Sequence, residues 1–334
     1  MLENKVKYFL KRCGFQELGS VGEDGKVKRG RYLMSSLNDD VVEFFPKLSK
    51  NIPNDTALIL MSPLYSRIKT YCSYVYHNSR FTGTDAKHPR NEYRIYLNNE
   101  LENHALYYQM NDIVVMRKNT KDVGEENSYY IDVIKDHYSS DYVKLSHIID
   151  EYPIKGGYGI YDGILEYFEV KVREYEELGS TGITIDKSVT DRINKSTDEN
   201  KENIFNPATF RDFVLAGYYN SCAITGQKNT EYFGGNIDVV YIKPREKGGD
   251  CLPSNGIALC RELSLAFVTG EFSLTDDYEI LIRSGSVNEL LLEYEGKQIR
   301  VPQNKFFQPA KSNLKYHRQY IFGRESTDLE DELI

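Results

Sequence analysis

Three groups of residues in this 334-residue chain have side chains suited to chemistry. In the C-terminal third, Asp238 and Asp250 with Asn255 offer the oxygen ligands that Mg²⁺ prefers, and Tyr241 stands close by in sequence. Tyrosine has an ordinary pKa of about 10, so Tyr241 acts as a nucleophile or proton relay near neutral pH only if a metal or an arginine depresses it. The plainer reading is a packing tyrosine beside turn-forming residues, with Gly248-Gly249-Asp250 a loop. A second group is Asp162, Glu169 and Lys171: two carboxylates for a metal and a lysine to polarise water, provided Glu169 and Lys171 lie on a strand facing Asp162. A helix suits that stretch at least as well. The third group is Lys87, Arg90, Asn91 and Arg94, with Arg80 nearby, whose alternative reading is a structural Arg–Glu pair on a sheet rim. The five cysteines show no Cys-x-x-Cys pair and no His at ligand spacing, so no structural zinc is expected.

The elements that must position these residues follow from the hydrophobic pattern. At 40% hydrophobic and 28% charged residues the chain reads as soluble and globular, with length for about two domains. No run approaches the ~18 apolar residues of a membrane span, and the N-terminus has no apolar signal core, so the expected compartment is the cytoplasm. A net charge of −8 argues against indiscriminate binding to polyanions, although a local basic surface suffices for phosphate contacts. The spacing of Val6, Phe9 and Leu10 predicts a short amphipathic helix over Glu3 to Cys13. Residues 57–61, 70–76, 93–97, 113–116 and 129–134 read as strands, separated by Pro, Gly and Asn/Asp clusters at the intervals of a barrel or sandwich.

Ile164, Phe168, Val172 and Tyr175 predict a helix over 161–178, and the polar stretch 179–202 reads as a linker. After it come a helix over 207–219 with Phe210, Val214 and Leu215 on its buried face, and a turn over 220–226 leading into a strand. A strand at 236–244, a loop at 245–250, a strand at 254–260 and a helix from Arg261 into a further strand complete the order. The expectation is an α+β protein: a β-rich domain over 1–160, a connecting helix and polar linker over 161–205, a second domain over 206–325 and an acidic tail over 326–334.

The landmarks of the second domain are Phe210-Arg211-x-x-Val214-Leu215, Cys222-Ala-Ile-Thr-Gly226, Ile242-Lys-Pro244, Gly248-Gly-Asp250, Pro253-Ser-Asn-Gly-Ile-Ala-Leu-Cys260 and the closing Leu314-Lys-Tyr-His-Arg318. In this order and spacing the segment 206–324 resembles the HNH endonuclease family, in particular its restriction-enzyme subgroup. The resemblance implies a ββα fold around one divalent metal. It puts the general-base His at Tyr241, the loop-orienting Asn at Asn255, the metal-binding His at Ser264 and the closing Asp at Val268. The acidic residue that precedes the first His falls at Asp238, the one family position left for a metal. Neither His is kept, and a serine is a poor substitute for imidazole, so the family's usual metal shell cannot form.

The stretch Lys87-His-Pro-Arg-Asn-Glu-Tyr-Arg94, with the strands after it, resembles the EcoRII-type N-terminal pseudobarrel that binds DNA in some restriction enzymes. This implies a β-barrel-like DNA-binding domain in which Lys87, Arg90, Asn91 and Arg94 face phosphates and base edges. In the second domain a basic patch of Lys305, Lys311, Lys315, His317 and Arg318 would hold the backbone, the alternative being a solvated helix face. The expected function is a double-stranded DNA-binding protein of HNH restriction type, serving defence against foreign DNA, with a degenerate pseudonuclease site. Two alternatives stand beside it: a Mg²⁺-dependent endonuclease using Tyr241 and Asp238 or the Asp162, Glu169 and Lys171 group, and a module that binds a partner protein. A symmetric DNA site would call for a homodimer.

Overall fold

The computed structural model describes residues 6–21, 23, 27–35, 37–78, 90–98, 100–101, 108–120, 127–195, 201, 204–230 and 235–322. Lys87, Arg80 and the acidic tail 326–334 lie outside the described residues. The chain divides into two compact units: residues 1–180 with 184–204, and residues 181–183 with 205–334.

The first unit is built on strands β1 (Lys7–Arg12), β2 (Tyr32–Ser35), β3 (Thr56–Pro63), β4 (Ile68–His77), β5 (Glu92–Tyr96), β6 (Ile113–Lys118), β7 (Ser128–Ile134) and β8 (Tyr158–Asp162). They run across the sheet in the order β8-β1-β6-β7-β3-β4-β5-β2. Neighbours are antiparallel except β3 and β7, which are parallel. Phe9 of β1, next to one end of that path, and Leu33 of β2, at the other end, share one buried cluster with Ile59, Tyr74, Ile95, Val114 and Tyr129. The sheet is therefore curled into a nearly closed, barrel-like wall around an aromatic core. On its outer face Tyr8, Leu10, Ile113, Val115 and Tyr130 pack against helices α1 (Ser140–Glu151) and α2 (Glu166–Leu178) through Leu145, Ile149, Phe168 and Val172.

Burial of both faces corrects the expected N-terminal helix. Residues 7–12 form strand β1, with Phe9 facing the barrel core and Leu10 the helices. A strand covered on both sides carries an unbroken apolar run, and Val6, Phe9 and Leu10 imitate helical spacing by accident. The expected helix over 161–178 is likewise shortened. Tyr158–Asp162 pairs with β1 as strand β8, the helix begins at Glu166, and Ile164 is 49% exposed. Within the polar stretch 179–202, residues Lys187–Lys195 form helix α3, which buries Val189 and Ile193.

In the second unit Asn206 caps helix α4 (Pro207–Gly217), its side chain accepting from the Ala208 and Thr209 amides. Phe210, Phe213, Val214 and Leu215 form its buried face. Residues 220–226 form a turn that is tied by a bridge between Ser221 and Lys228, in place of the expected lead into a strand. Strands β9 (Ile237–Tyr241) and β10 (Gly256–Cys260) pair antiparallel, with Asp238 opposite Leu259 and Tyr241 opposite Gly256. Gly256 leaves room for α4, since a Cβ there would collide with Val214 and Phe210. Helix α5 (Arg261–Val268) follows at once and packs on both strands. A hairpin of β11 (Phe272–Leu274) and β12 (Ile280–Ile282) and helix α6 (Lys311–Tyr320) complete the unit.

His317 belongs to this core and not to a surface patch, at 1% exposure. Its ring stacks on Phe267 at 3.9 Å between centroids; Nε2–H donates to the Phe267 carbonyl at 3.0 Å, and Ser273 Oγ donates to Nδ1 at 2.9 Å. Burial holds this imidazole neutral, pushing its pKa down to about 4. The unfolded chain takes up the proton near pH 6.5 and the folded one near 4, so stability is full above 6.5 and falls as pH drops between the two values. We expect acid to remove about 3 kcal/mol through this one group. His317→Leu should flatten the pH dependence of urea unfolding between pH 6.5 and 4, whatever its effect at pH 7.5.

Candidate functional site

In the second unit Asp238 and Ser264 meet, whereas Tyr241 and Asn255, the other two positions that the resemblance points to, each have separate partners. Asn255 is fully buried between β9 and β10. Its Oδ1 accepts from the Lys243 amide at 2.9 Å, and its Nδ2 donates to the carbonyls of Lys243 at 2.9 Å and Asp250 at 3.0 Å. One side chain thus fixes both ends of the loop that joins the strands. Gly249 lies inside this loop against the Lys243 carbonyl, where any Cβ would clash. Asp250 is occupied locally, its Oδ1 accepting from the Leu252 amide at 3.1 Å.

Asp238 on β9 faces helix α5. There Ser264 Oγ lies 2.8 Å from Asp238 Oδ2 and 2.8 Å from the Arg261 carbonyl, so one hydroxyl proton serves two acceptors. Alternation along the strand puts Tyr241 on the other face from Asp238. Its ring stacks on Phe210 of α4, with centroids 3.9 Å apart and planes within 5°. The Tyr241 hydroxyl is 3.7 Å from Cys251 Sγ. Burial, reinforced by the Cys251 thiol, pushes this phenol above its usual range, with Arg245 opposing weakly. Tyr241 is therefore protonated at neutral pH and packed as a core aromatic on one side.

A half-open cleft of about 760 Å³ lies along β9, α5 and α6, lined by Val240, Tyr241, Arg245, Val268, Tyr316 and Tyr320 among others. Tyr316 and Tyr320 have ring centroids 4.8 Å apart, and Lys243 Nζ lies 5.2 Å from the Tyr316 centroid. The sequence reading missed Cys251, Tyr316 and Tyr320 as members of this site. The i, i+4 spacing of the two tyrosines was the available signal. Of the expected basic patch, Lys305, Lys311 and Lys315 are exposed, whereas Arg318 donates to the Leu274 carbonyl at 2.6 Å and pairs with Asp276.

In the first unit, Arg94 pairs with Glu92 and its guanidinium lies 4.2 Å from the Tyr32 ring centroid. Asn91 Oδ1 accepts from Tyr76 at 2.5 Å, and Arg90 is half-buried. Arg192 of α3, which lies in a stretch read as linker, sits 3.6 Å from the Tyr96 centroid. Between these groups His77 contacts Tyr96 Oη at 2.7 Å and Asn54 Oδ1 at 3.1 Å. Burial first, then Arg94, Arg90 and Arg192, lower its pKa to about 4. Burial is the larger cause, and the three arginines add to it.

Asp162, Glu169 and Lys171 do not form one site. Glu169 pairs with Arg117 at 3.1 Å and accepts from Tyr8 at 2.5 Å, whereas Lys171 pairs with the buried Asp132 at 2.7 Å. Glu169 and Lys171 lie two apart on helix α2, a spacing that points them in different directions.

Neither a family model nor a curated protein matches this chain. Among solved structures it is similar to a "Modification dependent TagI restriction endonuclease", with 13% identity and a TM-score of 0.28 over 96% of this chain and 78% of that one. A likeness at that level carries no argument about fold or function. Among the described residues no helix is long and apolar enough to cross a membrane, and no group of three His, Cys, Asp or Glu is placed to hold a metal ion.

Asn255→Ala removes three hydrogen bonds from a fully buried site. It leaves an amide and two carbonyls to find other partners, a loss of about 2–4 kcal/mol. Urea unfolding of the purified variant should show that drop, with a smaller one for Asp250→Ala.

Proposed function

We propose that this chain binds double-stranded DNA, and that its C-terminal unit keeps the frame of an HNH endonuclease without the chemistry. The observation that carries the reading is Asn255. Its three hydrogen bonds hold the loop between two antiparallel strands that run directly into a helix, which is the frame the family resemblance calls for. On that frame the reacting positions are occupied by groups that do different work. Tyr241 is a poor general base, because its phenol is raised further above neutrality and its ring is stacked on Phe210.

The donor set does not fit a divalent metal. Asp238 is one carboxylate, already accepting from Ser264, and a hydroxyl is a weak ligand beside imidazole or carboxylate. A reader of this kind suits a role in defence, as a recognition or regulatory component beside an active nuclease. The phosphate-holding candidates are Arg90 in the first unit and Lys311 with Lys315, one helical turn apart and exposed, in the second.

Electrophoretic mobility shift with duplex DNA, methylated and unmethylated, at rising salt tests this reading. Binding should weaken linearly in log–log form, and Lys311→Ala with Lys315→Ala should reduce the slope by about one per lost phosphate contact. Absence of binding at low salt, or binding indifferent to salt, would overturn the proposal in favour of a protein partner.

A further inference from the structure

The cleft beside the Asp238–Ser264 pair has a composition that the duplex-binding reading does not use. Val240 follows Asp238 on the same face of β9, and Val268 lies one turn beyond Ser264 on α5. Together they give the cleft an apolar wall, with Val268 46% exposed. The rings of Tyr316 and Tyr320 line the same cleft, the second 50% exposed. A cleft lined by an aromatic pair and by valines suits a flat ring, because every base presents a π face that stacks without regard to its edge.

The mouth of the cleft is cationic. Arg245 is exposed and lines it, and the Lys243 ammonium sits over Tyr316. Glu246 and Lys247 also lie on the rim with opposite charges. In a chain of net charge −8, a local arginine and lysine beside tyrosines select an anion carrying an aromatic ring. The volume of about 760 Å³ falls in the range of small-ligand clefts, and it admits one nucleotide.

We propose that this cleft binds a single nucleoside 5′-monophosphate unit, its base held between Tyr316/Tyr320 and the Val240/Val268 wall and its phosphate at Arg245. Two sources supply that chemistry: a free nucleotide, or one unpaired nucleotide of a DNA strand. The site belongs wholly to the second unit and stands whether or not the chain binds duplex DNA.

Equilibrium dialysis of the full chain against each deoxynucleoside 5′-monophosphate and its parent nucleoside, with anisotropy on labelled single-stranded and duplex oligonucleotides, tests the assignment. The monophosphates should bind more tightly than the nucleosides, and Arg245→Ala should abolish the difference. Tyr320→Ala should weaken binding by about tenfold or more, as expected for loss of a stacking ring, and Tyr320→Phe should retain it. Val268→Glu should block the cleft. Both positions are about half exposed, so thermal melting of each variant should match the parent.

Binding of single strands but not of free nucleotides, with the same sensitivity to Tyr320→Ala, would support the site and identify an unpaired DNA nucleotide as its ligand. No binding of either, or binding unchanged in Tyr320→Ala and Val268→Glu, would overturn it. Duplex binding that persists in those variants leaves the DNA-binding reading intact, so the two proposals fail separately.

Discussion

The second unit depends on the buried amide of Asn255. A long connection between two short strands has many ways to lie, and ordering it costs about 1–2 kcal/mol of backbone entropy per residue. Asn255 offsets part of that cost by closing the loop on itself at the Lys243 amide and carbonyl and at the Asp250 carbonyl. With the loop closed, β9 and β10 keep their register, Asp238 meets Ser264, and Tyr241 meets Phe210. Aspartate in place of Asn255 would keep the acceptor and lose both donated bonds.

That frame separates architecture from chemistry. The hydrogen bonds that hold the loop are internal and indifferent to which side chains occupy the neighbouring strand and helix positions. Histidine, tyrosine or serine fits a strand end or a helix turn with the same backbone. On the outer side of this frame Val240 and Val268 line the cleft. In the first unit the analogous constraint is burial of both faces of the sheet, between the aromatic core on one side and helices α1 and α2 on the other.

Much of the secondary structure is legible in the sequence, and the exceptions have one cause. The strands at 56–63, 68–77, 92–96, 113–118 and 128–134 are rich in β-branched and aromatic residues bounded by turn formers, so local preference and tertiary structure agree. Strand Lys7–Arg12 is different. Its apolar residues face both sides, so period-two alternation is lost, and only pairing with β6 and β8 defines it. Helix Lys187–Lys195 was obscured by polar composition, although Val189 and Ile193 at i, i+4 mark its buried stripe. In the site, Asp238, Asn255 and Ser264 were reached through the family resemblance and not through local pattern. Partners from distant segments, such as Cys251 for Tyr241 or Asp132 for Lys171, leave no trace in local pattern.

The most direct test of the account is incubation of the purified chain with supercoiled plasmid, methylated and unmethylated, in Mg²⁺ and separately in Mn²⁺. Cleavage and retention should be scored on the same samples. The plasmid should be retarded and remain supercoiled in both metals. Nicked or linear product that disappears in Tyr241→Phe or Asp238→Asn would contradict it and make the C-terminal unit a working nuclease.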